Sequence, residues 1–240
     1  MIQISRKIMP SFFTMGNMFC GFMAILFAAY LKDFTLAAWM IILAAFLDTL
    51  DGKVARIANA ASKFGVEYDS LADVISFGMA PSVLIYVLFF HHWQTAGLFI
   101  SFFPVLFGSV RLARFNVQLD GFEKSEFIGL PIPAGALAIA TYILFLDKYF
   151  PDRIFPKVLL LITLSVSVLM VSTIRYDVMP RLTYKGGFLP LLTFLLFIAV
   201  VILGFLFPKS LLFPYIVFYV TYGFIRFLIR LGSGKAIKSG

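Results

Sequence analysis

"LDTLDGKVARIANAASKFGVEYDSLAD" (Leu47–Asp73) holds Asp48, Asp51, Glu67, Asp69 and Asp73, five of the twelve acidic residues in a chain of 240. Asp48 and Asp51 are three apart and Ala55 follows four later, so a helix puts all three on one face. Gly65, Asp69 and Asp73 recur every four residues and share one face of a second helix. The residues between, 57–64, can reverse the chain. Two antiparallel helices then direct four carboxylates into one space.

The sequence on both sides says what solvent these helices meet. The chain is 61% hydrophobic and only 13% charged, with thirty phenylalanines. Its mean hydropathy is +0.98. Soluble domains carry about 25% charged residues, and this many phenylalanines exceed the needs of one globular core. Apolar runs of about 20 residues, the length of a bilayer-crossing helix, recur along the chain. The expected fold is all-α, a polytopic transmembrane bundle. A β-barrel would show short alternating segments instead. Eight spans are expected, near residues 11–31, 34–56, 66–90, 95–117, 132–149, 155–174, 188–207 and 211–230. No soluble domain or internal repeat interrupts them, so residues 1–240 read as one integral-membrane domain.

The single cysteine, Cys20, excludes an internal disulfide and a cysteine-based zinc cage. Arg6 and Lys7 precede an apolar run long enough to remain as an anchor, so no cleaved leader is expected. The net charge of +8 reads as basic loops facing anionic lipid rather than as a nucleic-acid surface. With the N-terminus inside, fifteen of the twenty basic residues fall on the cytoplasmic side. That asymmetry places both termini and the 47–73 segment at that face.

Four converging carboxylates repel one another unless cations compensate. Oxygen-only ligation suits Mg²⁺, Mn²⁺ or Ca²⁺ rather than zinc. Against Lys53, Arg56 and Lys63 the five acids leave a local charge of −2. Two divalent ions reverse this, and a diphosphate diester with about two negative charges restores neutrality. That balance fits two-metal phosphoryl-transfer chemistry. Gly52 and Gly65 leave room for a ligand to approach the backbone, Ala55 keeps the same face small, and Arg56 can grip a phosphate.

The pattern D-x-x-D-G-x-x-A-R, eight residues, then G-x-x-x-D-x-x-x-D resembles the signature of the CDP-alcohol phosphatidyltransferase family. Asp48, Asp51, Gly52, Ala55, Arg56, Gly65, Asp69 and Asp73 match it without departure. The resemblance implies a six-helix catalytic core, usually a homodimer, that transfers a phosphatidyl group from a CDP-linked lipid to an alcohol and releases CMP. It implies metal binding by Asp48, Asp51, Asp69 and Asp73, with Asp73 also the general base. Gly52, Ala55, Arg56 and Gly65 would line the CDP-lipid site.

Further stretches are "TMGNMFCG" (Thr14–Gly21), "DSLADVISFGMAP" (Asp69–Pro81), "RLARFN" (Arg111–Asn116), "GLPIPA" (Gly129–Ala134) and "MVSTIRY" (Met170–Tyr176). They are similar to the integral-membrane, serine-accepting branch of that family in bacteria and archaea. The resemblance runs over about residues 8–190. The expected catalytic core ends there, and residues 191–240 add two spans and a basic tail with no assigned role.

The implied reaction moves the phosphatidyl group of CDP-diacylglycerol to the hydroxyl of L-serine. The serine carboxylate needs a cation, and Arg111, Arg114 and Arg175 are the candidates, each also readable as a membrane-interface anchor. Asn17 and Asn116 can orient a ligand or form a cap or interhelical hydrogen bond. Asp33 and Asp152 read as caps or solvated charges. Asp177 and Arg181 read as a solvated loop, and His91 and His92 sit on the outer side. Trp39 and Trp93 read as interfacial aromatics. Rival readings are the same chemistry with glycerol 3-phosphate or an inositol phosphate as acceptor, an archaeal ether-lipid donor, and a cation-coupled transporter. A transporter would favour internal repeats and a site near the midplane.

Overall fold

The computed structural model describes residues 12–57, 63–119, 129–151, 153–174, 176, 203–204 and 206–232; within them, the side chains of 55–57, 63, 118–119 and 230–232 are not described. Among the described residues all regular structure is helical. Six helical stretches are long and apolar enough to cross a bilayer: Phe12–Leu31, Phe34–Val54, Phe64–Leu88, Phe90–Val117, Ile132–Tyr149 and Pro208–Ile229. Pro156–Val171 is apolar but shorter. The protein is therefore integral to a membrane. The expected span at 188–207 lies almost wholly outside the described residues.

Helix α1 (Phe12–Leu26) runs into a π-helical turn, Phe27–Leu31, and stops at Lys32, whose φ is 56°. Asp33 then starts α2 (Phe34–Ile57): its Oδ1 accepts the Leu36 N–H at 2.8 Å, the capping role open to it in the sequence. The two helices pack as a hairpin, and Ala24, Ala28, Ala37, Ala38 and Ala44 along them are fully buried. Such small residues let helix backbones approach closely in lipid, where packing rather than water drives association.

The third span is not the uniform α-helix expected. Helix α3 (Lys63–Asp73) passes into a π-helical stretch, Val74–Met79, before α4 (Ala80–Leu88). Pro81 has no N–H to offer the carbonyl four residues back, so the α-pattern cannot continue through it. Instead the Ala80 N–H reaches Ile75 O, five residues back. The extra residue lies directly after Asp73.

After a 3₁₀ turn at Phe90–Trp93 come α5 (Gln94–Leu119), α6 (Ile132–Tyr149), α7 (Pro156–Val171) and α8 (Pro208–Gly232). The "GLPIPA" stretch docks α6 onto the end of α7. Gly129 has φ 84°, and a Cβ there would strike the Met170 carbonyl, so only glycine fits. Its N–H donates to Ile174 O at 2.8 Å, and the Leu130 N–H donates to Leu169 O at 2.9 Å. The third span and α6 lie innermost, with 56% and 67% of their membrane windows buried, against 6% for α8. Helix α8 lies against α6 through Phe213 on Tyr142 and Phe145. A Lys209–Asp147 ion pair of 2.6 Å fixes one end of that contact.

Candidate active site

Helices α2 and α3 bring their acids together as the spacing predicts. Carboxylate oxygens of Asp48, Asp69 and Asp73 all lie within 4.8 Å of one another. Asp48 and Asp69 are half-buried, while Asp73 is only 8% exposed. Asp51, the fourth expected ligand, stands in electrostatic range of Asp48 and Asp69 but accepts a hydrogen bond from the Thr14 hydroxyl of α1. One turn further along α1, Asn17 Nδ2 donates to Asp73 Oδ1 at 3.1 Å. Helix α1 therefore holds one carboxylate from each of the two acidic helices.

The set suits an oxygen-bound divalent cation. Like charges at such separations repel by about 3–4 kcal/mol per pair even at an effective dielectric of 20. Asp69 Oδ1 is buried with no hydrogen-bond partner. Metal–oxygen distances of about 2.0–2.6 Å for Mg²⁺ or Ca²⁺ place ligand oxygens at comparable mutual spacing. The acidic cluster can thus hold a metal ion.

The other predicted residues separate. Gly52 is exposed and Gly65 half-buried, on the same two helices as the acids. The side chains of Ala55 and Arg56 lie outside the described residues, as does Arg175. Arg111, on α5, is only 7% exposed, lies in electrostatic range of Asp73, and leaves its Nε without a partner. Arg114 is exposed, and its Nη1 donates to Val171 O at 3.2 Å, closing the end of α7. Among the described residues Arg111 is the one buried cation. Asn116 takes the interhelical role: its Nδ2 donates to Ser70 Oγ at 3.0 Å and to Glu67 Oε2 at 3.3 Å on α3. Asp152, Asp177 and Arg181 lie outside the described residues. His91 and His92 stack in the turn at Phe90–Trp93, at the opposite end of α4 from Asp73.

Two neighbours had no assigned role in the sequence. Thr14 is buried at 3% exposure against Asp51. Tyr219 of α8 lies in electrostatic range of Arg111 and packs on Tyr176 with ring centroids 5.7 Å apart. Thr14 stands in the "TMGNMFCG" stretch, which marks it only as part of a motif. No signal along the chain joins Tyr219 to Arg111, over one hundred residues earlier.

A membrane-embedded helical bundle with a carboxylate cluster of this pattern defines a class. A sequence model of the CDP-alcohol phosphatidyltransferase family matches residues 7–228, and the chain belongs to that family. This membership replaces the transporter reading. The chain is 38% identical to a CDP-diacylglycerol–serine O-phosphatidyltransferase of Helicobacter pylori, over 92% of each chain. It is 36% identical to the protein of that name from Methanocaldococcus jannaschii, over 73% of this chain and 78% of the relative. The Bacillus subtilis protein of that name is 34% identical, over 70% of this chain and 88% of the relative.

Proposed function

We propose that this chain transfers the phosphatidyl group of CDP-diacylglycerol to the hydroxyl of L-serine, forming phosphatidylserine and CMP. The observation that carries the reading is the convergence of Asp48, Asp69 and Asp73 beside a buried arginine, Arg111. The shared name of relatives from three organisms supports serine as the acceptor.

In this reading Asp73, oriented by the Asn17 amide, takes the proton of the serine hydroxyl. The serine oxygen bonds in line to the phosphorus that carries the diacylglycerol. The bond from that phosphorus to the CMP oxygen breaks, and the electron pair leaves with CMP. Asp73 later passes its proton to water. Gly52, Ala55, Arg56 and Gly65 line the CDP end of the donor. Asp48, Asp51, Asp69 and Asp73 would hold two divalent cations, Mg²⁺ or Mn²⁺, which when bound supply charge neutralisation and Lewis-acid polarisation of the diphosphate.

Arg111 is the serine-carboxylate ligand in this scheme, because it is buried near the base while Arg114 is engaged at α7. A phosphorylated acceptor such as glycerol 3-phosphate would need more cationic groups at the same place. We extend the reading to a homodimer in the cytoplasmic membrane of a prokaryote, with the carboxylates at the cytoplasmic face. The family resemblance supports the dimer, and the asymmetry of basic residues supports the orientation.

The test is CMP release by purified protein given CDP-diacylglycerol, Mg²⁺ or Mn²⁺, and a panel of labelled alcohols. Serine-dependent release, abolished by excess chelator after dialysis, is expected. Release with another acceptor but not with serine overturns the acceptor assignment. Full activity in chelator overturns the metal assignment.

A further inference from the structure

Four buried side-chain atoms among the described residues have no hydrogen-bond partner: Asn17 Oδ1, Asp69 Oδ1, Ser82 Oγ and Arg111 Nε. Three of the four belong to residues that bond to Asp73 or lie in its electrostatic range. Asp69 is accounted for by the carboxylate cluster and Arg111 by the acceptor carboxylate. The Asn17 carbonyl oxygen has no such use. Asn17 is fully buried, so water cannot freely satisfy this acceptor, and an unpaired buried carbonyl is costly.

The orientation of Asn17 is set by its neighbours. Ser76 Oγ, in the π-helical stretch, donates to the Asn17 backbone carbonyl at 2.9 Å. Gly21 presses against the same serine, so closely that a Cβ there would stand 2.7 Å from Ser76 Cα. The Asn17 amide faces a carboxylate, and only its N–H₂ side can do so without setting two acceptors against each other. Its oxygen is therefore the unpaired end of the same amide group that holds Asp73.

We propose that Asn17 determines acceptor specificity: its Nδ2 holds Asp73, and its Oδ1 accepts a hydrogen bond from the ammonium group of the acceptor amino acid. The inference rests on the serine reading above. A zwitterionic amino alcohol supplies the groups the site lacks. Its ammonium brings three donors and no acceptor to Asn17 Oδ1. Its carboxylate brings acceptors to Arg111. A site built to pair such a group rejects analogues lacking it, because its own buried atom is left unpaired. A phosphate group would set acceptor against acceptor at Asn17, so the same atom disfavours phosphorylated alcohols.

The experiment compares L-serine with 3-hydroxypropanoate, which keeps the hydroxyl and carboxylate and has hydrogen in place of the ammonium. CMP release is measured for wild type, Asn17→Ala and Asn17→Asp, all with CDP-diacylglycerol and divalent cation. For Asn17→Ala, kcat/KM for serine is expected to fall about tenfold or more beyond the fall for 3-hydroxypropanoate. Asn17→Asp retains an oxygen acceptor but loses the donor to Asp73, so kcat falls for both acceptors while the preference for serine persists. An equal fall for both acceptors in Asn17→Ala overturns the proposal, because Asn17 then acts through Asp73 alone. Loss of the preference in Asn17→Asp overturns it independently of whether Asn17→Ala folds. Wild-type protein that releases no CMP with serine overturns the serine reading itself, and the proposal with it.

Discussion

Asp73 stands between an amide that orients it and a guanidinium that offsets its charge. Replacing its carboxylate by an amide keeps the shape and removes the proton acceptor. Asp73→Asn is therefore expected to retain CDP-diacylglycerol binding while turnover falls by about 10²–10⁴, the usual worth of a placed general base. Binding of labelled CDP-lipid beside CMP release separates the two effects, and a variant turning over like wild type removes Asp73 from that role. The arginines divide by environment. Arg111→Ala is expected to raise the serine KM about 10- to 150-fold, the equivalent of about 1.5–3 kcal/mol for a charge-assisted hydrogen bond. Arg114→Ala should leave serine KM nearly unchanged, since Arg114 is exposed and bonded to the Val171 carbonyl. A reversed pattern would transfer the carboxylate to Arg114. This choice was not legible in "RLARFN", where the two arginines stand three apart on one stretch of helix. Depth within the bundle separates them, and depth depends on how α5 packs.

Among the elements, the third span shows most clearly what periodicity reveals and what it conceals. The spacing of Gly65, Asp69 and Asp73 set the inward face of α3 correctly, because that spacing is local to one helix. The π-helical stretch at Val74–Met79 was hidden, although Pro81, two residues beyond it, is plain in the sequence. A proline in an apolar run kinks, caps or shifts the hydrogen-bond frame according to what packs around it. Here α1 and α5 pack against the stretch. Gly21→Ala forces a Cβ onto the Ser76 backbone, and is expected to cost about 1–3 kcal/mol as overpacking. By displacing α1, and Asn17 with it, the change should also lower kcat. Gly78→Ala meets the Val105 Cα at 3.4 Å and Val74 Cγ1 at 4.0 Å, both ordinary contacts, and is expected to be tolerated. Thermal melting of the solubilised protein with parallel CMP release reads both; equal melting of the two variants would detach α1 packing from the site. The bonds from Thr14 and Asn17 to the acids join residues 37 and 56 apart in the chain. Nothing in a linear pattern specifies such pairings.

For the whole molecule, hydropathy located most spans closely: 34–56 is observed as Phe34–Ile57, and 132–149 as Ile132–Tyr149. Long apolar runs are unambiguous because the bilayer sets their length. The expected span at 155–174 is seen as the shorter Pro156–Val171, ended where the chain turns to meet Gly129. The proposed orientation has its own test. With Lys63→Cys in sealed cells, a membrane-impermeant thiol reagent is expected to label only after lysis, because the proposed orientation puts the 47–73 segment at the cytoplasmic face. Ready labelling from outside would invert the topology.

Leu71 lies between Asp69 and Asp73 and turns the opposite way, 61% exposed. Phe64 and Val66, on the same helix, are also exposed on the bundle surface. In the proposed reading this face meets hydrocarbon, which puts the carboxylates one helix thickness from it and lets a donor lipid present its diphosphate without withdrawing its acyl chains from the surrounding lipid. The quantity that saturates such an enzyme is the mole fraction of donor in the plane of the membrane, a two-dimensional concentration. Adding inert detergent at constant total CDP-diacylglycerol should therefore slow CMP release in proportion to the dilution of the surface, whereas diluting micelles of fixed composition into more buffer should leave the rate per enzyme nearly unchanged.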